Sequence, residues 1–479
     1  MLRNRLNYLL RHYFALSPQL QKLLVYYRIL AENHSCHSTP TLQEDSVPLG
    51  SIPGNVAPHV RFIVPHTCSR ESARGISFND VNFFDMHIRS WFVPFPPVSE
   101  TNALFNRCLA SYTAKHLNLR LPFMGTSSMH CAHMSETGHI CASNGFYNYV
   151  IDTNSRLFRM FPEDFLESEP MFYSKQGNFS SDGCSWYFVR WPMKGWVDIL
   201  EKRSDSLPCQ VGRYNLQDHK EEFLLTLDFV EDVHDIACSP DDKYAVFSSL
   251  KQELVLPFPP STYFRSLDRY QQSHQSGVKL QDVITVDLKT LTYWHTKIPA
   301  PVVGHCVFDP DEPHVFYLSA HNIVYHQLSV FLEGPGTLFR LRIERGRTLI
   351  ENEYSDEDFL RIFQHEVFKY RNVTYLAVVS YTNHLYILRA SDLSLYKKVR
   401  IGPPTDADFH LTGNSLCLNG GSAYFTVNAS DDGRFLIMGS ATNFIMFDMD
   451  NYRLIPMDSV FPAGFGQGAN LPHTRTYGK

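Results

Sequence analysis

In three segments of the chain, a histidine stands just before an apolar run, which is followed by a turn and a second apolar run. They are VHDIACSPDDKYAVFSS around His234, GHCVFDPDEPHVFYLSAHN around His305 and QHEVFKYRNVTYLAVVSYTNH around His365. If these segments are equivalent strands of repeated units, the three imidazoles converge on one place. Neutral imidazole is a common ligand of divalent first-row metals. The pattern therefore predicts a bound Fe, Mn or Zn ion.

Two further histidines compete for a fourth ligand position. His410 lies in DADFHLTGN, and His321 closes the segment that His305 opens. A metal with an open coordination position would act as a Lewis acid or as an oxygen activator. The chain contains 22 histidines, and one histidine alone is more often a hydrogen-bonded channel or surface residue. The prediction therefore rests on the set and not on any single member.

Four other residues are candidates for contact with a substrate. Gln364 directly precedes His365, and His139 begins the run HICASNGFYNYVID. Arg190 and Trp191 lie in WYFVRWPMKGW, where aromatic rings and cations alternate. Such a group could stack on a planar or sugar ligand and neutralise an anion. Packing of an outer strand between neighbouring sheets explains the same aromatic residues without a ligand.

The elements that must position these residues form a repeat. Two apolar runs joined by a polar turn recur at irregular intervals: 146–161, 212–229, 283–298, 338–354, 385–401 and 444–457. Upstream of several of these hairpins a Ser-, Pro- or Asp-rich turn precedes another β-rich run, at 237–249, 307–319 and 427–440. Two hairpins per unit make a propeller blade. Six hairpins and an irregular blade near 60–110 predict an all-β, seven-bladed propeller, preferred over six or eight blades.

The SPDD, DPDE and SDDG turns resemble those of β-propellers with YVTN-like or PD40-like repeats, over roughly residues 60–465. The run from GHCVFDPDEPHVFYLSAHN to QHEVF is similar to oligogalacturonate lyases, and this resemblance implies metal binding by His305, His321, Gln364 and His365. The string VHDIACSPDDKYAVF also resembles the ligand strand of carotenoid cleavage oxygenases, at His234. In FPAGFGQG (461–468) that family's ligand turn has Gly466 in place of histidine, and only His473 could substitute.

Composition limits the setting and the partners. The net charge of −6 argues against nucleic acid as the main partner. Ten cysteines without CxxC pairs predict a reducing, cytoplasmic setting. Residues 1–33 carry several Arg and Lys residues and have Leu, Tyr and Phe at helical spacing. They predict a helical basic arm for peripheral membrane or protein contact. Residues 34–60 are rich in Pro, Ser and Gly and predict a linker, which leaves 61–479 for the propeller.

Two functions from different classes remain open. One is a metal-dependent propeller enzyme, lyase- or isomerase-like or else an oxygenase-like oxidoreductase, acting on a small organic substrate at the central channel. The other is a non-catalytic propeller that serves as a scaffold for protein–protein interaction. Bound metal distinguishes the two, because only the first requires it.

Overall fold

The computed structural model describes most of the chain between residues 42 and 477. The segments outside the described residues are 1–41, 55, 71–72, 95–130, 144–147, 162–170, 175, 193–208, 228–231, 251–279, 301, 327–328, 333–334, 361, 381, 404–423, 441–442, 463–464, 466–472 and 478–479. In the described part all regular structure is β-strand. No helix found there is long and apolar enough to span a membrane.

Seven antiparallel sheets follow one another along the chain, and each forms one blade. Blade 1 contains β1 (Gln43–Pro48), β2 (Arg61–Arg70), β3 (Ala73–Asn82) and β4 (His87–Pro94). Blade 2 contains β5 (Cys131–Ser135), β6 (His139–Ser143), β7 (Asn148–Asp152) and β8 (Leu157–Phe161). Blade 3 contains β9 (Met171–Tyr173), β10 (Asn178–Phe179), β11 (Ser185–Pro192), β12 (Cys209–Asn215) and β13 (Lys220–Leu227).

The remaining four blades follow the same plan. Blade 4 contains β14 (Asp232–Cys238), β15 (Tyr244–Leu250), β16 (Gln281–Asp287) and β17 (Thr292–Ile298). Blade 5 contains β18 (Val302–Phe308), β19 (Val315–His321), β22 (Thr337–Glu344) and β23 (Arg347–Tyr354), with the hairpin β20 (Ile323–His326) and β21 (Ser329–Leu332) inserted. Blade 6 contains β24 (Ile362–Tyr370), β25 (Val373–Ser380), β26 (His384–Arg389) and β27 (Leu395–Arg400). Blade 7 contains β28 (Tyr424–Ala429), β29 (Phe435–Ser440), β30 (Phe444–Asp448) and β31 (Arg453–Pro456).

The core lies between the blades, because the middle strands are apolar on both faces. Phe316 and Leu318 of β19 are buried against blade 4, and Tyr317, which points the other way, is buried against blade 6. The ring closes between the last blade and the first, where Ile437 of blade 7 packs with Phe62 of blade 1. Every blade therefore has two neighbours, and the all-β, seven-bladed prediction is confirmed.

Both ends of the described chain add a strand to an early blade. The first, β1, is the outer strand of blade 1, where it pairs with β4, and it lies inside the range 34–60 that the sequence predicts to be a linker. The last, β32 (His473–Tyr477), pairs in parallel with the inner strand β5. The predicted helical arm, residues 1–33, lies outside the described residues.

The turn between the third and fourth strands repeats around the ring. In blades 2 to 7 the residue before the outer strand, or shortly before it, has a positive φ although it is not glycine: Arg156, His219, Leu291, Arg345, Leu393 and Tyr452. An Asn or Asp side chain accepts backbone N–H groups in most of these turns, as Asp287 does from Lys289 and Thr290. This polar turn is what the sequence shows between the two apolar runs of each predicted outer hairpin, and the structure contains all six hairpins.

Candidate functional site

The inner strands of blades 4 to 7 each carry one extra residue at the same place. In β14, Val233 pairs with Ser249, but the next paired residue is Ile236, opposite Phe247. The same shift lies between Val303 and Cys306, between Ile362 and His365, and after Tyr424. Such a β-bulge bends the strand and re-aims its side chains. These bulges determine where the predicted histidines point.

The register places the three leading histidines at three different positions. Relative to the first residue that pairs after the bulge, His234 lies two residues before it and His305 one residue before it, whereas His365 is that residue itself. Successive strand residues alternate in direction. The equivalence expected from the sequence is therefore not found. Instead, His305 shares its position with Asp235 of blade 4 and Gln364 of blade 6.

Asp235 and His305 form a buried pair between blades 4 and 5. The Asp235 carboxylate is completely buried, and its Oδ2 lies 3.4 Å from His305 Nδ1. The same oxygen accepts the backbone N–H of Cys306 at 2.9 Å. A buried carboxylate is costly unless it is paired and hydrogen-bonded, and here it receives both partners from the neighbouring blade. The pair therefore joins two blades at the bulge.

Two serines complete the hydrogen bonds of the blade 5 bulge. The His305 N–H donates to Ser319 Oγ at 2.9 Å, and Ser248 Oγ of blade 4 donates to the Gly304 carbonyl at 3.0 Å. A bulge leaves backbone groups without ladder partners, and buried groups of this kind must be satisfied in another way. Ser248 and Ser319 therefore stabilise the bulge by satisfying its backbone groups.

His321 lies beside the same bulge. A Cβ atom built on Gly304 would lie 2.5 Å from His321 Nε2, so the glycine leaves room for this imidazole. The His365 Nε2 lies 3.4 Å from the Tyr317 carbonyl of blade 5. Of the predicted ligands with described side chains, His321 therefore lies at the bulge that also carries His305, and His365 contacts the middle strand of blade 5.

The other two predicted ligands lie beyond what the structure describes. The backbone of His234 belongs to β14 but its side chain is outside the described residues, and so is all of His410. Among the described side chains, no three His, Cys, Asp or Glu residues are grouped so that they could hold one metal ion. The described part of this group therefore does not fit a metal by itself, and the predicted ion remains a prediction.

The predicted substrate residues are distributed over three blades. Gln364 is buried at the bulge of blade 6. His139 opens β6, and its Nδ1 is 2.9 Å from Thr137 Oγ1. Burial lowers the pKa of this histidine in spite of the nearby Asp152. Gln364 is on blade 6 and His139 is on blade 2, whereas His305 is on blade 5.

Arg190 and Trp191 belong to the second strand of blade 3. The Arg190 Nε donates to Gln210 Oε1 at 3.0 Å, and its guanidinium lies 3.6 Å from the centre of the Phe223 ring. Only the backbone of Trp191 is described, and it pairs with Phe172. Packing and hydrogen bonds within the blade therefore account for Arg190.

A recurrent turn that orients a histidine was not predicted from the sequence. The strings SETGH (135–139) and SYTNH (380–384) each connect a serine, a threonine and a histidine by hydrogen bonds. In the second, Ser380 Oγ lies 2.8 Å from Thr382 Oγ1, which lies 3.0 Å from His384 Nδ1. Burial lowers the pKa of His384. The repeated S-x-T-x-H spacing was the available signal.

A second missed feature is an exposed surface between the outer strands of blades 6 and 7. We call it the tyrosine–cation rim, and define it by Arg371, Arg389, Tyr396, Lys397 and Tyr452. The hydroxyls of Tyr396 and Tyr452 are 2.5 Å apart. Arg389 Cζ lies 5.7 Å from the Tyr396 ring centre, and Lys397 Nζ lies 4.4 Å from the Tyr452 ring centre. These contacts order side chains that are otherwise free in solvent.

The geometry defines the chain as a seven-bladed β-propeller with a bulged inner ring. Comparison with protein-family models finds no matching family, and comparison with curated proteins finds no similar protein. The resemblances to YVTN-like or PD40-like propellers, to lyases and to oxygenases therefore remain predictions from the sequence.

Proposed function

We propose that the protein is an interaction propeller, a rigid scaffold that binds another protein through its tyrosine–cation rim. The carrying observation is the exposure of that surface: 46% of Tyr452 and 42% of the adjacent Leu395 are accessible to solvent. Tyr and Arg are enriched among the residues that dominate binding energy at protein interfaces. Four of the five rim residues are Tyr or Arg, and this composition favours a protein partner.

The fold supports this role because it presents the rim on a stiff base. Beneath the rim, Tyr375 and Phe447 are buried in the core shared by blades 6 and 7, and Tyr375 lies 5.0 Å from the Tyr396 ring. Side chains that are already ordered lose little conformational entropy on association. The rim can therefore bind a partner without rearrangement of the blades.

The test compares two equivalent turns. Full-length protein is used to isolate bound proteins from its source cells, with Tyr452→Asn as the variant and Leu291→Asn as the control. Leu291 has the same positive φ in blade 4 and is 39% exposed. We expect a partner that is retained by the wild type and by the control, is lost with Tyr452→Asn, and binds again as a purified protein. Equal retention by all three chains would overturn the proposal.

A second candidate function is the metal-dependent enzyme, lyase- or isomerase-like or oxygenase-like, with a small organic substrate. The Asp235–His305 pair favours it, because a buried carboxylate beside an imidazole at a bulge is typical of a site under functional constraint. His321 lies beside the same bulge, and His234 and His410 would have to supply the remaining ligands.

Metal analysis tests this second function. The full-length chain is reconstituted separately with Fe, Mn and Zn, and its metal content is measured for the wild type, His305→Ala, His321→Ala and the exposed control His87→Ala. The enzyme proposal expects about one ion per chain in the wild type and the control, and loss in the other two variants. Absence of bound metal from the reconstituted wild type would rule this function out.

A further inference from the structure

The five residues that define the rim include three cations and no carboxylate. Within the described part of the chain, Arg389, Lys397 and the neighbouring Arg453 make no ion pair with a carboxylate. Arg389 is engaged by a ring and by Ser394 Oγ at 3.4 Å, and Lys397 by a ring alone. The whole chain carries a net charge of −6. The rim is therefore a basic surface on an acidic protein.

Two carboxylates lie near these cations. Hydrogen bonds from Ser394, with a smaller contribution from the charge of Arg389, lower the pKa of Asp392. Asp450 accepts the Tyr370 hydroxyl, and its Oδ1 lies 2.6 Å from Arg371 Nη2. Its other oxygen lies 3.0 Å from Arg434 Nε. The Tyr370 hydrogen bond and these arginines hold the pKa of Asp450 below its usual range. Asp450 therefore pairs with Arg371 and Arg434, and Asp392 offsets part of the charge of Arg389. Arg389 and Lys397 still make no direct ion pair among the described residues.

The two tyrosine hydroxyls supply a further donor. One of them donates to the other across the 2.5 Å contact. Each hydroxyl has a single hydrogen, so the accepting hydroxyl keeps its own hydrogen for an outside acceptor. The hydrogen bond, together with burial, raises the pKa of Tyr396 to about 12, so this hydroxyl stays protonated at neutral pH. An outside carboxylate would find an O–H donor between two cations.

Tyr452 is also an unfavourable residue for its position. Its φ is +52°, a backbone conformation that glycine and asparagine adopt more readily than an aromatic residue. Leu291 has a similar φ at the equivalent turn of blade 4, so the backbone conformation is common to these turns. Tyr452 is distinguished by its hydroxyl contact with Tyr396. The ring is thus kept at this turn although a smaller residue would suit the backbone better.

We propose that the tyrosine–cation rim binds an acidic peptide segment of the partner protein, an inference that rests on the proposed interaction function. One carboxylate of the segment pairs with Arg389 and another with Lys397, and the segment crosses the Tyr396–Tyr452 pair between them. Carboxylates are the groups that complement unpaired cations and a phenol donor.

Fluorescence anisotropy with a short labelled Glu–Gly peptide tests the partner chemistry on the full-length chain. We expect saturable binding that weakens as salt rises, and at least tenfold weaker binding of a Lys–Gly peptide. The double variant Arg389→Gln/Lys397→Gln is expected to bind the acidic peptide about fivefold to tenfold more weakly. The control Lys289→Gln, at an exposed turn of blade 4, is expected to bind as the wild type does.

The outcomes separate this inference from the function on which it rests. If Tyr452→Asn loses a partner but the Glu–Gly peptide does not bind, the interaction function stands and the acidic segment is wrong. If inorganic phosphate or RNA competes as well as the peptide does, the rim is a general anion site and the inference is overturned. Binding that is equal in the double variant and the control would place the peptide elsewhere and would also overturn it.

Discussion

Replacement of Asp235 by alanine is expected to weaken the joint between blades 4 and 5. The change removes the acceptor that lies 2.9 Å from the Cys306 backbone nitrogen and the carboxylate that faces His305. A hydrogen bond to a charged group contributes about 1.5–3 kcal/mol, and a buried N–H left without a partner costs about 1–3 kcal/mol. The two effects overlap, so we expect Asp235→Ala to lower the free energy of unfolding by about 3 kcal/mol.

Urea unfolding followed by circular dichroism and by tryptophan fluorescence measures this loss. Ser248→Ala is the matched control, because it removes one neutral hydrogen bond, from Ser248 Oγ to the Gly304 carbonyl, across the same pair of blades. Its expected cost is about 1 kcal/mol. Asp235→Asn keeps an acceptor oxygen of the same size and should fall between the two. The ranking follows from the charge and burial of each group.

A small effect would refute this reasoning. If Asp235→Ala lowers the free energy of unfolding by less than about 0.5 kcal/mol, the carboxylate does not hold the bulge, because a buried hydrogen bond to a charged group contributes more than that value. The buried charge would then need another explanation, and the enzyme function would gain support. An effect near that of Ser248→Ala would mean that the charge contributes nothing beyond an ordinary hydrogen bond.

Three further predictions concern the fold. Gly433→Ala should lower the free energy of unfolding in urea by at least about 3 kcal/mol, because φ at Gly433 is +66° and a Cβ would collide with the Lys369 carbonyl. Gly346 has a similar φ of +74° but open space around it, so Gly346→Ala should cost only about 1 kcal/mol. Burial lowers the pKa of His384 below 6.5. The contribution of neutral His384 to stability is therefore present above pH 6.5 and is lost as the pH falls through the folded pKa. Thermal melts at decreasing pH should show a fall in melting temperature, and His384→Gln should reduce that fall. Trp186→Phe should cost about 2 kcal/mol and change the near-UV circular dichroism, because the fully buried indole donates to another blade at 3.0 Å; an unchanged urea midpoint would contradict this.

The fold was predictable because its signals are local. The turn SPDD (239–242) gives such a signal, because the Ser239 hydroxyl accepts a hydrogen bond from the Tyr244 N–H of the next strand. Asp287 is another, because its carboxylate accepts two N–H groups of the outer turn. These residues act within a few positions of themselves. The parallel strand β32 was not predictable, because it pairs with a strand far away in sequence.

The candidate site was predictable in its residue types but not in its geometry. His305 and His321 were identified and lie near one bulge, but the bulge itself has no local signal. One extra residue moves His365 onto the face where its Nε2 meets the Tyr317 carbonyl. A slip of one residue reverses the direction of a strand side chain. The pairing of Tyr396 with Tyr452 was missed because the two residues belong to different blades.

The sign of the stability change on replacement distinguishes a residue that holds the fold from a residue that is kept for binding. A residue that holds the fold lowers stability when it is replaced, which we expect of Asp235. A residue that is kept for binding at a strained position can raise stability when it is replaced. Tyr452→Asn places an Asn at a φ of +52°, where Asn is tolerated better than Tyr, and this should increase the free energy of unfolding by a few tenths of a kcal/mol. A variant that is more stable and yet loses the partner would identify the rim as a surface selected for binding. A Tyr452→Asn chain that is clearly less stable would instead make Tyr452 a part of the packing between blades 6 and 7.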